Sequence, residues 1–212
     1  MPPDSALLAN LHASPLRAQH GAAKRGRQAA ESLSRDTIPG LSQGDRVSAY
    51  ELAQLNIGVI KGPIDGPIMA EFVANLDRIN ALAERTPGFV WRLQTEQGNA
   101  TAIRPFPDEN IAVNMSVWRD VESLSRYVYN SAHVEIMRRR REWFHKMNEA
   151  FLVLWWVPRG HRPTVEEAIG KLEILRRKGP GAEAFTFRQA FPPPDAAEGK
   201  TPVAIGDECP AT

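Results

Sequence analysis

Residues 114–133 read NMSVWRDVESLSRYVYNSAH. Side chains alternate across a strand, so Asn114, Ser116 and Trp118 belong to one face and Met115 and Val117 to the other. Asp120 is a good helix N-cap, because a short carboxylate can accept from a backbone N–H of the first turn. Behind it, Leu124, Tyr127 and Val128 recur at helical spacing. The run ends on His133, where a second helical stretch, VEIMRRRREWF, begins. A strand feeding directly into a capped helix predicts a mixed fold in which helices pack on a sheet.

The same reading extends outward. YELAQLNIGVI, 50–60, predicts a first strand. GPIDGP is a turn, and Pro67 sits where a first helical turn tolerates it. Ile68, Met69, Phe72, Val73, Leu76, Ile79 and Ala83 form an apolar helical stripe, which TPG at 86–88 ends. FVWRLQTE, 89–96, predicts a second strand, IAVNMSVW, 111–118, a third, and FLVLWWV, 151–157, a fourth. One helix is expected over about 132–147. Thr164 and Glu167 form a capping box for a last helix that stops at KGPG. AFTFR adds an optional edge strand. The order is β-α-β-β-α-β with one extra C-terminal helix. That is α+β and ferredoxin-like, with four strands and helices on one face. The uncovered face then wants a partner, and a second copy packed sheet to sheet would supply it.

The folded domain is expected over 49–190. Residues 1–48 contain no aromatic residue and cannot offset their ordering entropy, so a disordered leader is expected. An acid-poor, Arg-containing leader also fits organelle import. The preferred account is a mis-assigned start, with translation beginning near Val47. Residues 191–212 read as a disordered tail. Among 212 residues, 26 are basic and 25 acidic, which argues against a dedicated nucleic-acid binder. No apolar run of about eighteen residues suggests a membrane span. The lone Cys209 permits no internal disulfide and makes a zinc cluster improbable, so a reducing, cytoplasmic setting is expected.

Four stretches carry a family resemblance: LAQLNIG at 52–58, EFVANLDRINALAERTPGFVWRLQ at 71–94, SVWRDVESLSRYVYNSAHVEIMRRRREWF at 116–144, and LVLWWVPRGHRPTVEEAIGKLEILRRKGP at 152–180. Together they resemble a bacterial family of the DUF3291 type, a domain of unknown function. That family is similar to the dimeric α/β-barrel superfamily, which includes antibiotic-biosynthesis and heme-degrading monooxygenases. The resemblance implies a homodimeric α/β barrel that holds a small-molecule ligand. Its functional implication is a cofactor-independent monooxygenase acting on an aromatic or hydrophobic metabolite. The alternatives are a non-catalytic or heme-binding dimer and a structural, accessory dimer.

Asn56, Trp118, Tyr127 and His133 are the candidate catalytic residues. In cofactor-independent oxygenases, such side chains position a phenolic substrate and assist its proton transfer. His133 is read either as a pocket acid/base or as a structural residue at a helix start. In the heme branch Asn56, Trp118 and His133 fall in comparable elements, with His133 as iron ligand. The fifteen-residue spacing from Trp118 to His133 is longer than that branch implies. No bound cofactor is therefore expected, with heme as the alternative. Arg140, Trp91, Arg92 and Trp143 are the candidate substrate-binding residues. On a continuous helix His133, Met137, Arg140 and Phe144 share a face. Arg140 is then either an anion clamp or one half of a salt bridge, with Glu135 or with a carboxylate across the dimer. Arg138, Arg139 and Arg141 read as a solvated face. Trp155 and Trp156 must point to opposite faces, one under the helices and one toward a partner subunit. His161 is expected to be exposed in a loop. The strands present an apolar set (Leu55, Ile57, Trp91, Leu93, Val113, Met115, Val117) and a mixed polar set (Gln54, Asn56, Arg92, Gln94, Asn114, Ser116, Trp118). Parity alone leaves open which set lines a pocket, and a bulge would reverse part of it.

Overall fold

The computed structural model describes residues 48–196; the leader and the tail beyond 196 lie outside the described residues. Four strands, β1 (Tyr50–Val59), β2 (Phe89–Arg92), β3 (Ile111–Trp118) and β4 (Leu152–Pro158), form one antiparallel sheet in the order β2-β3-β1-β4. Helix α1 (Ala70–Arg85) links β1 to β2, and α2 (Val121–Tyr129) follows β3. The short α3 (His133–Arg138) and α4 (Arg140–Trp143) lead to β4, and α5 (Val165–Lys178) comes last.

Local chemistry accounts for most boundaries. Asp120 accepts from the Ser123 N–H at 2.7 Å and starts α2. Thr164 Oγ1 accepts from the Glu167 N–H at 3.2 Å and starts α5. The capping box is not reciprocal: the Glu167 carboxylate accepts instead from Trp155 Nε1 at 3.0 Å and meets His161 Nε2 at 2.7 Å. His161 is thus paired rather than merely exposed. Gly179, at φ 74°, ends α5. Helix α1 begins at Ala70, three residues after Pro67, because the GPIDGP turn runs on through Gly66 and Met69. Its buried side is Met69, Phe72, Leu76, Ile79 and Ala83, whereas Ile68 and Val73 of the expected stripe are exposed.

The β1 and β3 register sets Gln54 opposite Ser116 and Asn56 opposite Asn114, with Leu55 opposite Met115 on the other face. Both strand sets therefore keep their expected parity. In β2 the register shifts between Phe89 and Trp91. That bulge puts Phe89 and Arg92 on one face, opposite Trp118 and Ser116, and Trp91 on the other, opposite Val117.

Helices occupy both faces, not one. Helices α1 and α2 lie over the mixed polar face. Helix α5 packs Ala168, Leu172 and Leu175 on the apolar face, against Leu55, Met115, Val153 and Trp155. Ile103 and Phe106 from the loop after β2, and Met147 and Phe151 from the loop before β4, complete the cover. A sheet face left uncovered is expected to want a second copy; the apolar face is closed within the chain. Trp155 packs under α5 and Trp156 against the C-terminal segment, where its Nε1 donates to the Phe191 carbonyl at 2.8 Å. The Trp pair does point to opposite faces, yet neither side chain is left waiting for a partner subunit. Phe185 makes a bridge to Leu154, so AFTFR does extend the edge of β4. Order continues past the expected boundary at 190, since Asp195 accepts from the Ala49 N–H at 2.7 Å and from Ser48 Oγ at 2.8 Å.

The helix expected over 132–147 is broken. Arg139 sits at φ −90°, ψ 0°, between α3 and α4, and Phe144 is already extended and bridges to Ile60. Phe144 lies so close to β1 that a Cβ at Gly58 would meet its ring at 2.7 Å.

Candidate functional site

The cavity lies between the polar sheet face and helices α1 to α4, with a volume of about 200 Å³. Strand parity explains its floor. Asn56 and Gln54 of β1, Asn114, Ser116 and Trp118 of β3, and Arg92 of β2 all point the same way. Leu76 and Ile79 of α1 and Leu124, Tyr127 and Val128 of α2 form the roof. His133, Met137, Arg140 and Phe144 also line it. The break at Arg139 leaves all four on the cavity side, although a single helix face no longer explains it.

Of the eight expected site residues, seven line this space: Asn56, Trp118, Tyr127, His133, Arg92, Arg140 and Trp143. Trp91 does not. It packs into the apolar core on the opposite face, because neighbours along a strand cannot share a side and Arg92 takes the cavity.

At one end three rings stack in series. Trp118 and Tyr127 have ring centroids 5.2 Å apart at 26°, and Tyr127 and His133 lie 4.7 Å apart at 37°. Phe89 meets Trp118 edge-on at 5.3 Å. Such contacts fix ring orientations. Trp118 Nε1 donates to Ser116 Oγ at 2.8 Å, and Gln54 Nε2 donates to the same oxygen at 3.3 Å. Gln54 Oε1 and His133 Nδ1 are buried and have no hydrogen-bond partner among the described residues. The Ser116 hydroxyl proton also needs an acceptor. Turning the Gln54 amide over would let Ser116 donate to its oxygen and would present the NH₂ to the cavity. Either way, one end of the Gln54 amide has no hydrogen-bond partner among the described residues.

Burial holds the His133 imidazole down at about 4, against a smaller upward pull from the Val128 backbone. The ring is therefore neutral near pH 7. Burial pushes the Tyr127 phenol well above its ordinary range, while the Arg92 charge pulls it down slightly. Tyr127 is a neutral donor, and its hydroxyl reaches the Ile79 carbonyl at 3.4 Å.

The arginines are not alike. Arg92 is held by Glu84 at 2.8 Å and donates to the Gly98 carbonyl at 2.8 Å. Arg140 lies over the Phe151 ring at 4.2 Å and the Phe144 ring at 5.9 Å. Glu135, one expected partner for Arg140, faces Arg78 instead at 3.8 Å. Arg139, expected in solvent, bridges Glu71 and Glu142 and stacks 5.0 Å from Trp143. Sequence reasoning missed Asn99, Thr101 and Arg104, which the loop after β2 brings to the cavity wall. No spacing within that loop marks them.

Among the described residues no cluster of three His, Cys, Asp or Glu side chains could hold a metal ion. Ligand pockets usually span about 300–1,000 Å³. A cavity of about 200 Å³ falls below that range and is too small for a porphyrin. The residues present do not fit heme.

The chain matches the family described as Domain of unknown function (DUF3291) over residues 51–201, and it belongs to that family. No curated protein matches it. Among solved structures it is similar to SnoaB, a cofactor-independent oxygenase from Streptomyces nogalater, at 22% identity, covering 56% of this chain and 100% of that one, with a TM-score of 0.37. It is also similar to NE2512, a protein of unknown function from Nitrosomonas europaea, at 12% identity, covering 55% of this chain and 95% of that one, with a TM-score of 0.34. TM-scores of this size leave the site to be argued from the chain's own residues. No helix among the described residues is long and apolar enough to cross a membrane.

Proposed function

We propose that this member of the DUF3291 family binds a small aromatic or hydrophobic metabolite in the cavity between the sheet and helices α1 to α4. One observation carries the reading. Gln54 Oε1 and His133 Nδ1 are buried without partners among the described residues, beside a space walled by rings and aliphatic side chains at one end and by Asn and Arg side chains at the other. A buried polar atom left unbonded costs about 1–3 kcal/mol. A ligand that bonds it recovers that cost, while its apolar body replaces water against Trp118, Tyr127 and Phe144. The cavity volume suits a ligand of about one or two rings.

His133 supports binding before catalysis. A general base works best with a pKa near the operating pH. An imidazole held at about 4 is a hydrogen-bonding group first and a weak base. The finer reading is cofactor-independent monooxygenation. A phenolic substrate would lie along the Trp118, Tyr127 and His133 rings, with Asn56 fixing one polar end. A hydrogen bond from the substrate hydroxyl to the neutral His133 ring makes the substrate ring more electron-rich toward dioxygen. One oxygen atom replaces a ring hydrogen and becomes the second carbonyl of a quinone; the other leaves as water with that hydrogen and the phenolic one, so the substrate supplies all four electrons that dioxygen takes up. Any homodimer must use surface other than the apolar sheet face, which α5 already covers.

The test is a titration with naphthol and with naphthoate, followed by tryptophan fluorescence, alongside an oxygen electrode. Saturable quenching by either probe, lost in a folded His133→Leu variant, is the expected result. Oxygen uptake with naphthol adds the oxygenase reading. A folded protein that binds neither probe would rule the cavity out as a ligand site.

A further inference from the structure

Resting on that reading of the cavity, we infer that its ligand is an anion, a carboxylate or enolate on the aromatic or hydrophobic body, and that Arg104 is a residue that binds it. The charges on the cavity wall have one sign. Arg92, Arg104 and Arg140 line it, and no Asp, Glu or Lys does. Glu84, which offsets Arg92, lies outside the lining. Arg104 hydrogen-bonds the carbonyl of its own neighbour Ile103 at 3.0 Å and makes no ion pair among the described residues. A half-buried guanidinium beside apolar walls interacts with an anion more strongly than one in open water.

The neighbouring polar groups fit the same ligand. Asn56 and Asn114 stand opposite each other in register, near the end of the sheet where β1 exits. Asn99 has turned its amide oxygen to the Thr101 N–H at 3.0 Å and to Thr101 Oγ1 at 2.5 Å. Its NH₂ is then the group it can offer. The wall from Asn99 to Arg104 thus presents donors to a cavity with no carboxylate of its own. The stacked rings of Trp118, Tyr127 and His133 suit the body of the same molecule. Arg104 can hold the charge in a way the neutral His133 cannot.

Isothermal titration calorimetry with naphthoate and naphthamide tests this, since the two differ in charge and hardly in shape. Naphthoate should bind at least about tenfold tighter, the ratio expected of one charge-assisted contact. In Arg104→Gln that advantage should shrink toward unity, and Arg104→Lys should restore part of it. Near-UV circular dichroism confirms that each variant is folded. Equal binding of the two probes by the natural protein would overturn the anion inference and leave the cavity reading standing. Binding of neither would sink the cavity reading itself. A naphthoate preference that survives in Arg104→Gln would remove Arg104 from the site.

Discussion

On one face of the sheet, Leu55, Met115, Val153 and Trp155 are sealed under α5 by Ala168, Leu172 and Leu175. On the other, Gln54, Asn56, Asn114 and Ser116 look into a cavity whose roof is α1 and α2. The same two central strands, β1 and β3, contribute to both faces, residue by residue in alternation. One face is closed within the chain, and its Trp155 indole N–H finds Glu167. The other keeps Gln54 Oε1 and His133 Nδ1 without partners. A face that is filled and fully paired serves stability. A face that keeps unpaired buried atoms retains them at a cost, which supports the proposed ligand site.

That contrast can be broken experimentally, and the largest effect belongs to the sealed face. Trp155→Ala should lower stability by about 3–5 kcal/mol in urea unfolding, as truncation of a buried indole does. A cost below about 1 kcal/mol would mean that α5 does not pack there as described. On the cavity face, His133 should make stability depend on pH. Its pKa is about 4 in the folded protein, against about 6.5 in the unfolded chain. As pH falls from about 6.5 to 4, the unfolded chain takes up a proton that the folded one refuses. Stability is therefore present in full above pH about 6.5 and is lost on acidification, by at most about 3 kcal/mol. The difference between the natural protein and His133→Leu, measured at several pH values, isolates this loss. A flat difference would place the ring in water.

Gly58→Ala sharpens the comparison further, because the new methyl would push on Phe144 from inside the cavity. It should cost about 1–3 kcal/mol and weaken naphthoate binding together. A loss of stability with unchanged binding would show that Phe144 is not part of the site. The smallest effect is at the start of α2. Asp120→Ala should cost about 1 kcal/mol, the usual loss of an N-cap. Probe affinity should hold if the ring stack, rather than the cap, keeps Tyr127 in place.

Much of the fold is legible because its causes are local. Strand β3 and its cap at Asp120 follow from alternation and from the reach of one carboxylate. Strand parity accounts for Asn56, Arg92 and Trp118 among the seven candidates that line the cavity, and the four helical ones follow from the helix pattern and the family resemblance. Trp91 and Arg92 are both candidate substrate-binding residues although strand parity sets them on opposite faces, and only Arg92 lines the cavity. The break at Arg139 had no warning, because RRRRE reads as good helix, whereas the chain there turns to bridge β1 through Phe144 and Ile60. Arg104 and Asn99 stayed hidden in a loop, where no period tells a side chain which way to point.

The sequence by itself determined the order of elements, their main caps, the two strand sets and the family, since each depends on residues a few positions apart. Only the tertiary structure decided which strand set became floor and which became core. That choice rests on α5 and the loops around 103–106 and 147–151, which cover the apolar set from far along the chain. Apolar surface is covered by whatever the chain can bring to it, and the remaining polar face is left to enclose the cavity.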